Sequence, residues 1–248
     1  MSSCLVIPDI QAKPRQKLQH LHWLRAYIDA KRPDCIVQLG DLGDFTSLSS
    51  YDKGKGAAEN KRLHLDVDIF CEAADLITPS GMYSPKLIYT EGNHENRIRR
   101  YENDNSELQG SLFSPVEYMS SLGWDAYPFL EVASWGGISF SHFFPRTAMG
   151  TTTAGSSKNG ASSALNMVRA NMTSCIAGHK QGLDTAIYNL QNRRVRGIIA
   201  GSFYTHNEGY HTPQGNSYWR GVLMLNNVRS GDYDLTEVSV DYLKRKYG

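Results

Sequence analysis

Three short apolar runs near the start of the chain, Ser3–Ile7, Asp34–Leu39 and Lys86–Thr90, are separated by two segments of helical periodicity. Leu18, Leu21, Leu24 and Ile28 recur at helical spacing within 16–31, as do Leu63, Val67, Phe70, Ala74 and Ile77 within 59–77. A β-α-β-α-β succession of this kind permits few arrangements: the strands run parallel and the helices cross over one face of their sheet. After residue 127 the pattern changes. Segments 128–133 and 137–142 alternate around Trp135-Gly136-Gly137 and predict a hairpin, and residues 161–170 predict a helix. Short strands are expected at 174–177, 184–189, 195–203, 218–226 and 233–240, and Thr147–Gly160 is expected to be a mobile surface loop. A βαβ half followed by a strand-rich half predicts an α/β fold, a four-layer αββα sandwich of two mixed β-sheets flanked by helices. No repeat or linker divides the chain, so residues 1–248 are expected to form a single domain.

The 248 residues carry 26 basic and 25 acidic side chains, a net charge of +1. That balance removes any global electrostatic argument for nucleic-acid binding and leaves only a local basic patch to support one. Cys4, Cys35, Cys71 and Cys175 are widely spaced, lie in apolar or amphipathic runs and form no Cys-x-x-Cys pair. Reduced, packed thiols in a cytoplasmic protein are therefore expected. The first residues enter a strand without a basic-then-apolar leader pattern, and no apolar stretch approaches the ~18 residues of a membrane span.

The chemistry concentrates where the apolar runs stop. Asp9-Ile10-Gln11 follows the first run, Gly40-Asp41-Leu42-Gly43-Asp44 the second and Gly92-Asn93-His94-Glu95 the third. Ser141-His142 ends the hairpin, and Gly178-His179-Lys180-Gln181 ends a later strand. Each group alone reads as a polar turn. Together they put carboxylates, amides and imidazoles at the carboxyl edge of a sheet, where open α/β folds bind ligands and where such groups can hold divalent metals.

The order and spacing of these five motifs resemble the calcineurin-like metallophosphoesterase superfamily, over residues 4 to about 181. Its pattern is Asp-x-His, Gly-Asp-x-x-Asp, Gly-Asn-His-Glu/Asp, a single His and Gly-His-x-His. The overall look also resembles phosphoesterases encoded by bacteriophages and prophages, which would place the chain in the cytoplasm of an infected or lysogenic bacterium. The resemblance implies two divalent ions. Asp9 would bind the first, Asp41 would bridge both, and Asn93, His142 and His179 would complete the second. Asp44 would pair with His94, and His94 would protonate the leaving oxygen or stabilise charge on phosphorus-bound oxygens. Two positions depart from the pattern: Gln11 and Gln181 stand where the superfamily has imidazoles, both at the first metal. With amide oxygens as ligands that site becomes oxygen-rich, favouring manganese or magnesium over zinc or iron.

Glu95 reads as a cap of the helix that follows it. Arg97, one turn into that helix, and Arg146 are the candidate substrate-phosphate contacts, while Arg99 and Arg100 read as a solvated face. The stretch 201–211, with His206 and His211, reads as a turn with polar caps, a base-stacking loop being the alternative. Arg194 and Arg196 read as one face of a charged edge strand, with a nucleic-acid track as the alternative. Serine/threonine phosphatases of the superfamily carry a phosphate-clamping Arg directly after Gly-Asp-x-x-Asp, and Phe45 holds that place here. The expected function is therefore a metal-dependent phosphodiesterase, a nuclease acting on DNA or RNA. The alternatives are a phosphomonoesterase for a nucleotide or other small phosphate, and a nucleic-acid-binding module whose first metal site has decayed.

Overall fold

The computed structural model describes residues 2–50, 54–56, 59–144, 163–207 and 217–248. The first half contains β1 (Ser2–Ile7), α1 (Gln19–Lys31), β2 (Cys35–Gln38), α2 (Leu63–Ile77), β3 (Lys86–Thr90), α3 (Asn96–Asp104), α4 (Pro115–Ser121) and β4 (Asp125–Tyr127). The second contains β5 (Ala133–Trp135), β6 (Ile138–Ser141), α5 (Ala164–Asn171), β7 (Ser174–Ala177), β8 (Leu183–Asn189), β9 (Arg194–Ala200), β10 (Gly221–Arg229), β11 (Asp232–Ser239) and α6 (Val240–Tyr247).

One sheet runs β11-β10-β1-β2-β3-β4, and the other runs β5-β6-β7-β9-β8. Both are mixed. Strands β1 to β4 are parallel while β10 and β11 join antiparallel, and β6, β7 and β9 are parallel with β5 and β8 antiparallel at the edges. The period of two along β1 explains the layering. Leu5 and Ile7 face an outer core shared with Leu21, Leu24 and Ile28 of α1 and Phe70 and Ala74 of α2. Cys4 and Val6 face the other way, into an inner core shared with Phe140, Ile176 and Ile198 of the second sheet. Met167 and Val168 of α5 cover that sheet's far side, against Cys175 and Val195. The four-layer αββα order is thus the one the alternation predicts. All four cysteines are free thiols, three of them buried. Among the described residues no helix is long and apolar enough to cross a membrane.

Several boundaries differ from expectation. Pro14 and a left-handed Arg15 (φ 68°) hold a turn before α1, which starts at residue 19 rather than 16. Arg62 is extended, so α2 starts at residue 63 rather than 59. The hairpin turns on Gly136-Gly137 as expected, but its first strand is 133–135, not 128–133. Strand β9 stops at residue 200, β10 runs to 229, and residues 240–247 are helical. The strand bearing Arg194 and Arg196 is not an edge: β9 lies between β7 and β8. Both arginines are paired with Asp232, at 2.9 and 3.2 Å. The loop expected at 147–160 lies outside the described residues, as do Arg146 and His211.

Candidate metal centre

The loops after β2 and β3 meet backbone to backbone, which is why both begin with glycine. Gly40 adopts φ +84°, and a Cβ there would lie 2.6 Å from the Gly92 nitrogen; one on Gly92 would lie 2.2 Å from the Asp41 nitrogen. Glu95 fastens this junction. Its fully buried carboxylate accepts the backbone N–H groups of Asp41 (3.0 Å), Gly43 (3.1 Å) and Gly92 (3.1 Å). It occupies the N-cap position of α3 but makes no capping bond to that helix, so its work differs from the expected cap. Burial first, then the charge of Asp41, pushes its pKa up to about 8.

Five strand ends deliver their polar residues to one place. Asp9 is wholly buried; its Oδ1 accepts the His179 N–H at 2.9 Å, and its Oδ2 has no hydrogen-bond partner. Burial pushes the Asp9 pKa up to about 7, against the opposing pull of His142. Asp41 Oδ1 accepts the His94 N–H at 2.9 Å, and Oδ2 lies 3.4 Å from His142 Nε2 and 3.7 Å from His94 Nε2. Burial opposes the charged Asp41, but His142 and His94 outweigh it and hold its pKa well below the usual carboxylate range. Asn93 Oδ1 lies 2.9 Å from His142 Nε2 and 2.6 Å from His179 Nδ1, and the two ring nitrogens are 3.2 Å apart. Gln11, Asp41 and His179 all have left-handed backbones, at φ 47°, 49° and 65°, a conformation non-glycine residues adopt at a cost that active sites commonly bear.

The donor set fits divalent cations. His142 Nδ1 lies 2.8 Å from the Leu39 carbonyl oxygen, which only accepts, so that nitrogen carries the proton. In the neutral ring Nε2 then presents a lone pair toward the Asp41 carboxylate and Asn93 Oδ1. The approach of Nε2 to the Asp41 carboxylate, at 3.4 Å, is favourable with a cation between them, either a proton or a metal. Burial disfavours the imidazolium, yet Asp41 and Asp9 push the His142 pKa up to about 9. A ligating histidine whose other ring N–H is anchored on a backbone carbonyl is the usual way such a ring is oriented. Donor atoms of Asp41, His142 and His179 all lie within 4.8 Å of one another, and the orphaned Asp9 Oδ2 adds an unsatisfied buried acceptor.

Gln11 and Gln181, 1% and 8% exposed, line the same cleft of ≈ 600 Å³ as Asp41, His94 and His179. The Gln181 Oε1 accepts the hydroxyl of Tyr204, which fixes the amide's orientation. On the other side, His94 Nδ1 lies 2.6 Å from Asp44 Oδ1. Lys13 Nζ contacts Asp44 Oδ2 at 3.0 Å, and Arg97 bonds the Asp44 carbonyl oxygen at 2.6 Å and Oδ1 at 3.2 Å. Burial would raise the Asp44 pKa, but His94, Lys13 and Arg97 hold it well below the ordinary range. For His94, burial again opposes the charge, and Asp41 and Asp44 overcome it, raising its pKa. Arg97 thus buttresses Asp44. Lys13, the buttressing role of Arg97, Tyr204 and the loop-tying role of Glu95 are not signalled by the sequence; Glu95 stands inside a motif and Lys13 and Arg97 two residues past one, whereas Tyr204 lies in none of the five.

Residues 3–169 match the calcineurin-like phosphoesterase family. The chain belongs to that family. As a calcineurin-like phosphoesterase it is a metal-dependent hydrolase of phosphoesters. The match takes in Asp9, Asp41, Asn93, His94 and His142, whereas His179 and Gln181 lie beyond it and reach the site because β7 sits beside β6. No curated protein sequence matches this calcineurin-like phosphoesterase. Similar solved structures include Chaetomium thermophilum Vps29, at 11% identity over 96% of this chain and 97% of that one with a TM-score of 0.42. A second crystal structure is 12% identical over 96% and 99% of the two chains, with a TM-score of 0.44.

Proposed function

We propose that this phosphoesterase cleaves phosphodiesters, with nucleic acid as the substrate class, using a binuclear metal centre. Asp41, Asn93, His142 and His179 would hold one ion. Asp9, Gln11 and Gln181, with Asp41 shared, would hold the other, an oxygen-rich set suited to manganese. Bound divalent ions would supply an acidified water as nucleophile and neutralise charge on the phosphoryl oxygens. The chain's own residues do the rest. Asp41, almost wholly buried and held ionised by His142 and His94 against that burial, keeps charge concentrated beneath the cleft. His94, kept protonated by Asp41 and Asp44, donates its proton to the leaving oxygen, while Lys13 and Arg97 keep Asp44 ionised and in place.

The observation that carries the diester reading is the poverty of fixed cations around the cleft. Among its described lining residues Lys180 is the one lysine or arginine. Phe45, at the place of the phosphate clamp, is fully buried, its ring 5.6 Å from that of Phe70 in the core. A phosphomonoester dianion is best gripped by a bidentate guanidinium, whereas a diester carries a single negative charge and needs less. With manganese supplied, kcat/KM for bis-p-nitrophenyl phosphate should exceed that for p-nitrophenyl phosphate. The reverse order would make the chain a monoesterase.

The role of Asp44 has a pH signature. A general acid with a raised pKa is protonated up to higher pH, so activity falls on the alkaline side as that proton is lost. Asp44→Asn removes one of the two charges that raise the His94 pKa. The alkaline limb of the kcat profile should therefore move to lower pH. A limb that stays in place would detach Asp44 from His94's protonation.

A further inference from the structure

A second cavity, ≈ 580 Å³, opens beside the metal cleft and plays no part in the chemistry described above. It is framed by Lys17 just before α1 and His20 in its first turn, Tyr218, Trp219 and Arg220 before β10, and Lys244 of α6. Tyr218 lines both cavities, so the two are neighbours that share one wall. Its ring lies over the Gly182 backbone, next to Gln181: a Cβ on Gly182 would be 3.6 Å from the ring. Half of Tyr218 is exposed.

The lining combines flat π-surfaces with positive charge. Trp219 is wedged against Gly201 and Gly221, where a Cβ would meet its ring at 3.3 and 2.6 Å, so the indole is held rigidly. The Arg220 guanidinium is stacked 4.5 Å above Tyr204, the residue that orients Gln181. Lys17 and Lys244 are exposed at the rim, opposed by the single carboxylate of Asp241. Deeper in, His20 is 4% exposed, and among the described residues neither of its ring nitrogens has a hydrogen-bond partner of good geometry. Its ring packs 5.3 Å from that of Phe203, whose backbone is its weak partner, so a polar group entering the cavity would meet an imidazole with hydrogen-bonding capacity to spare.

We propose that this cavity binds a flanking nucleotide of a single-stranded nucleic acid whose scissile phosphate sits in the metal cleft, with a base stacked on the aromatic wall and the backbone phosphate between Lys17 and Lys244. The proposal deepens the phosphodiesterase reading and rests on it for the substrate's identity. Aromatic platforms interleaved with cations are how single strands are gripped without sequence preference. A local patch of this kind also reconciles a nucleic-acid substrate with a net charge of +1.

The test uses a fluorescein-labelled oligothymidine, with a chelator present so that binding is read by anisotropy without cleavage. Lys17→Glu combined with Lys244→Glu, both exposed and tolerant of change, should raise Kd roughly ten-fold or more and flatten its dependence on salt. Tyr218→Ala should raise Kd ~5-fold or more through lost stacking. With manganese restored, the ratio of oligonucleotide to bis-p-nitrophenyl phosphate kcat/KM should fall in each variant. Native protein that does not bind the strand, or variants that bind it as well as native, would overturn the cavity's role while leaving diester hydrolysis standing. Strand binding that the variants lose, in a protein that turns over no diester, would support the cavity and overturn the catalytic reading instead.

Discussion

His94→Ala is expected to lower kcat for bis-p-nitrophenyl phosphate by ~10²–10⁴-fold, the range general acid catalysis typically contributes. The size of the loss follows from how the ring is held. Its backbone N–H is tied to Asp41 Oδ1, and its Nδ1 is 2.6 Å from Asp44, so the imidazole is both fixed and charged. Removing it takes away a proton donor and a positive charge at the edge of the cleft, and leaves in place the residues proposed to hold the ions. Metal content, measured on dialysed protein, should therefore match native. The KM for the diester should change much less than kcat, because a group that acts on the leaving oxygen works in the transition state more than in the ground state. Thermal stability is the control: it should move little, since Lys13 and Arg97 still pair with Asp44. A His94→Ala protein that keeps most of its kcat, or one that loses its metal in step with activity, would remove His94 from the role of acid.

The parts of this molecule that read clearly in the sequence are those whose information is local. The period of two in Cys4-Leu5-Val6-Ile7 and the helical spacing around Leu21, Leu24 and Ile28 fix which faces are buried, and the layer order follows. The site residues at the strand ends were legible for a related reason: parallel strands bring their carboxyl ends to one edge, so motif order stands in for proximity. Elements that depended on distant partners were not legible. Helix α4 carries a readable signature, Ser114 accepting the Glu117 N–H with Pro115 in the first turn, yet the run is short and lies in a polar stretch. Strand β4 is only three residues long, and its pairing partner is β3, far away in sequence. The Arg194 strand reads as a charged edge until β8 folds back over it and Asp232 meets both arginines. Arg97 is similar: a guanidinium one turn into a helix suggests a phosphate ligand, and only the fold shows the Asp44 carbonyl within its reach.

Glu95→Ala should have the largest effect on the fold, because it strips the acceptor from three buried N–H groups at once. Each donor left unsatisfied costs ~1–3 kcal/mol, so a loss of ~3 kcal/mol or more is expected. In a chain of this length that corresponds to a fall in Tm of roughly 10 °C. The damage would not stay structural. Asp41, whose carboxylate faces His142 and His94, has its own N–H in the Glu95 grip, and Gly92 leads directly into Asn93. Loosening that junction would let Asp41 and Asn93, both proposed to hold an ion, drift, so metal affinity by titration calorimetry should fall with Tm. Glu95→Gln separates the two contributions. One carboxylate oxygen accepts from Gly43 and the other from both Asp41 and Gly92, so the amide can keep one side but must point its NH2 at donors on the other. Its Tm should lie between native and Glu95→Ala, and its metal affinity should track which oxygen is retained. If Glu95→Ala melts at the native temperature and binds metal equally well, the junction is held by glycine packing alone and the carboxylate is dispensable.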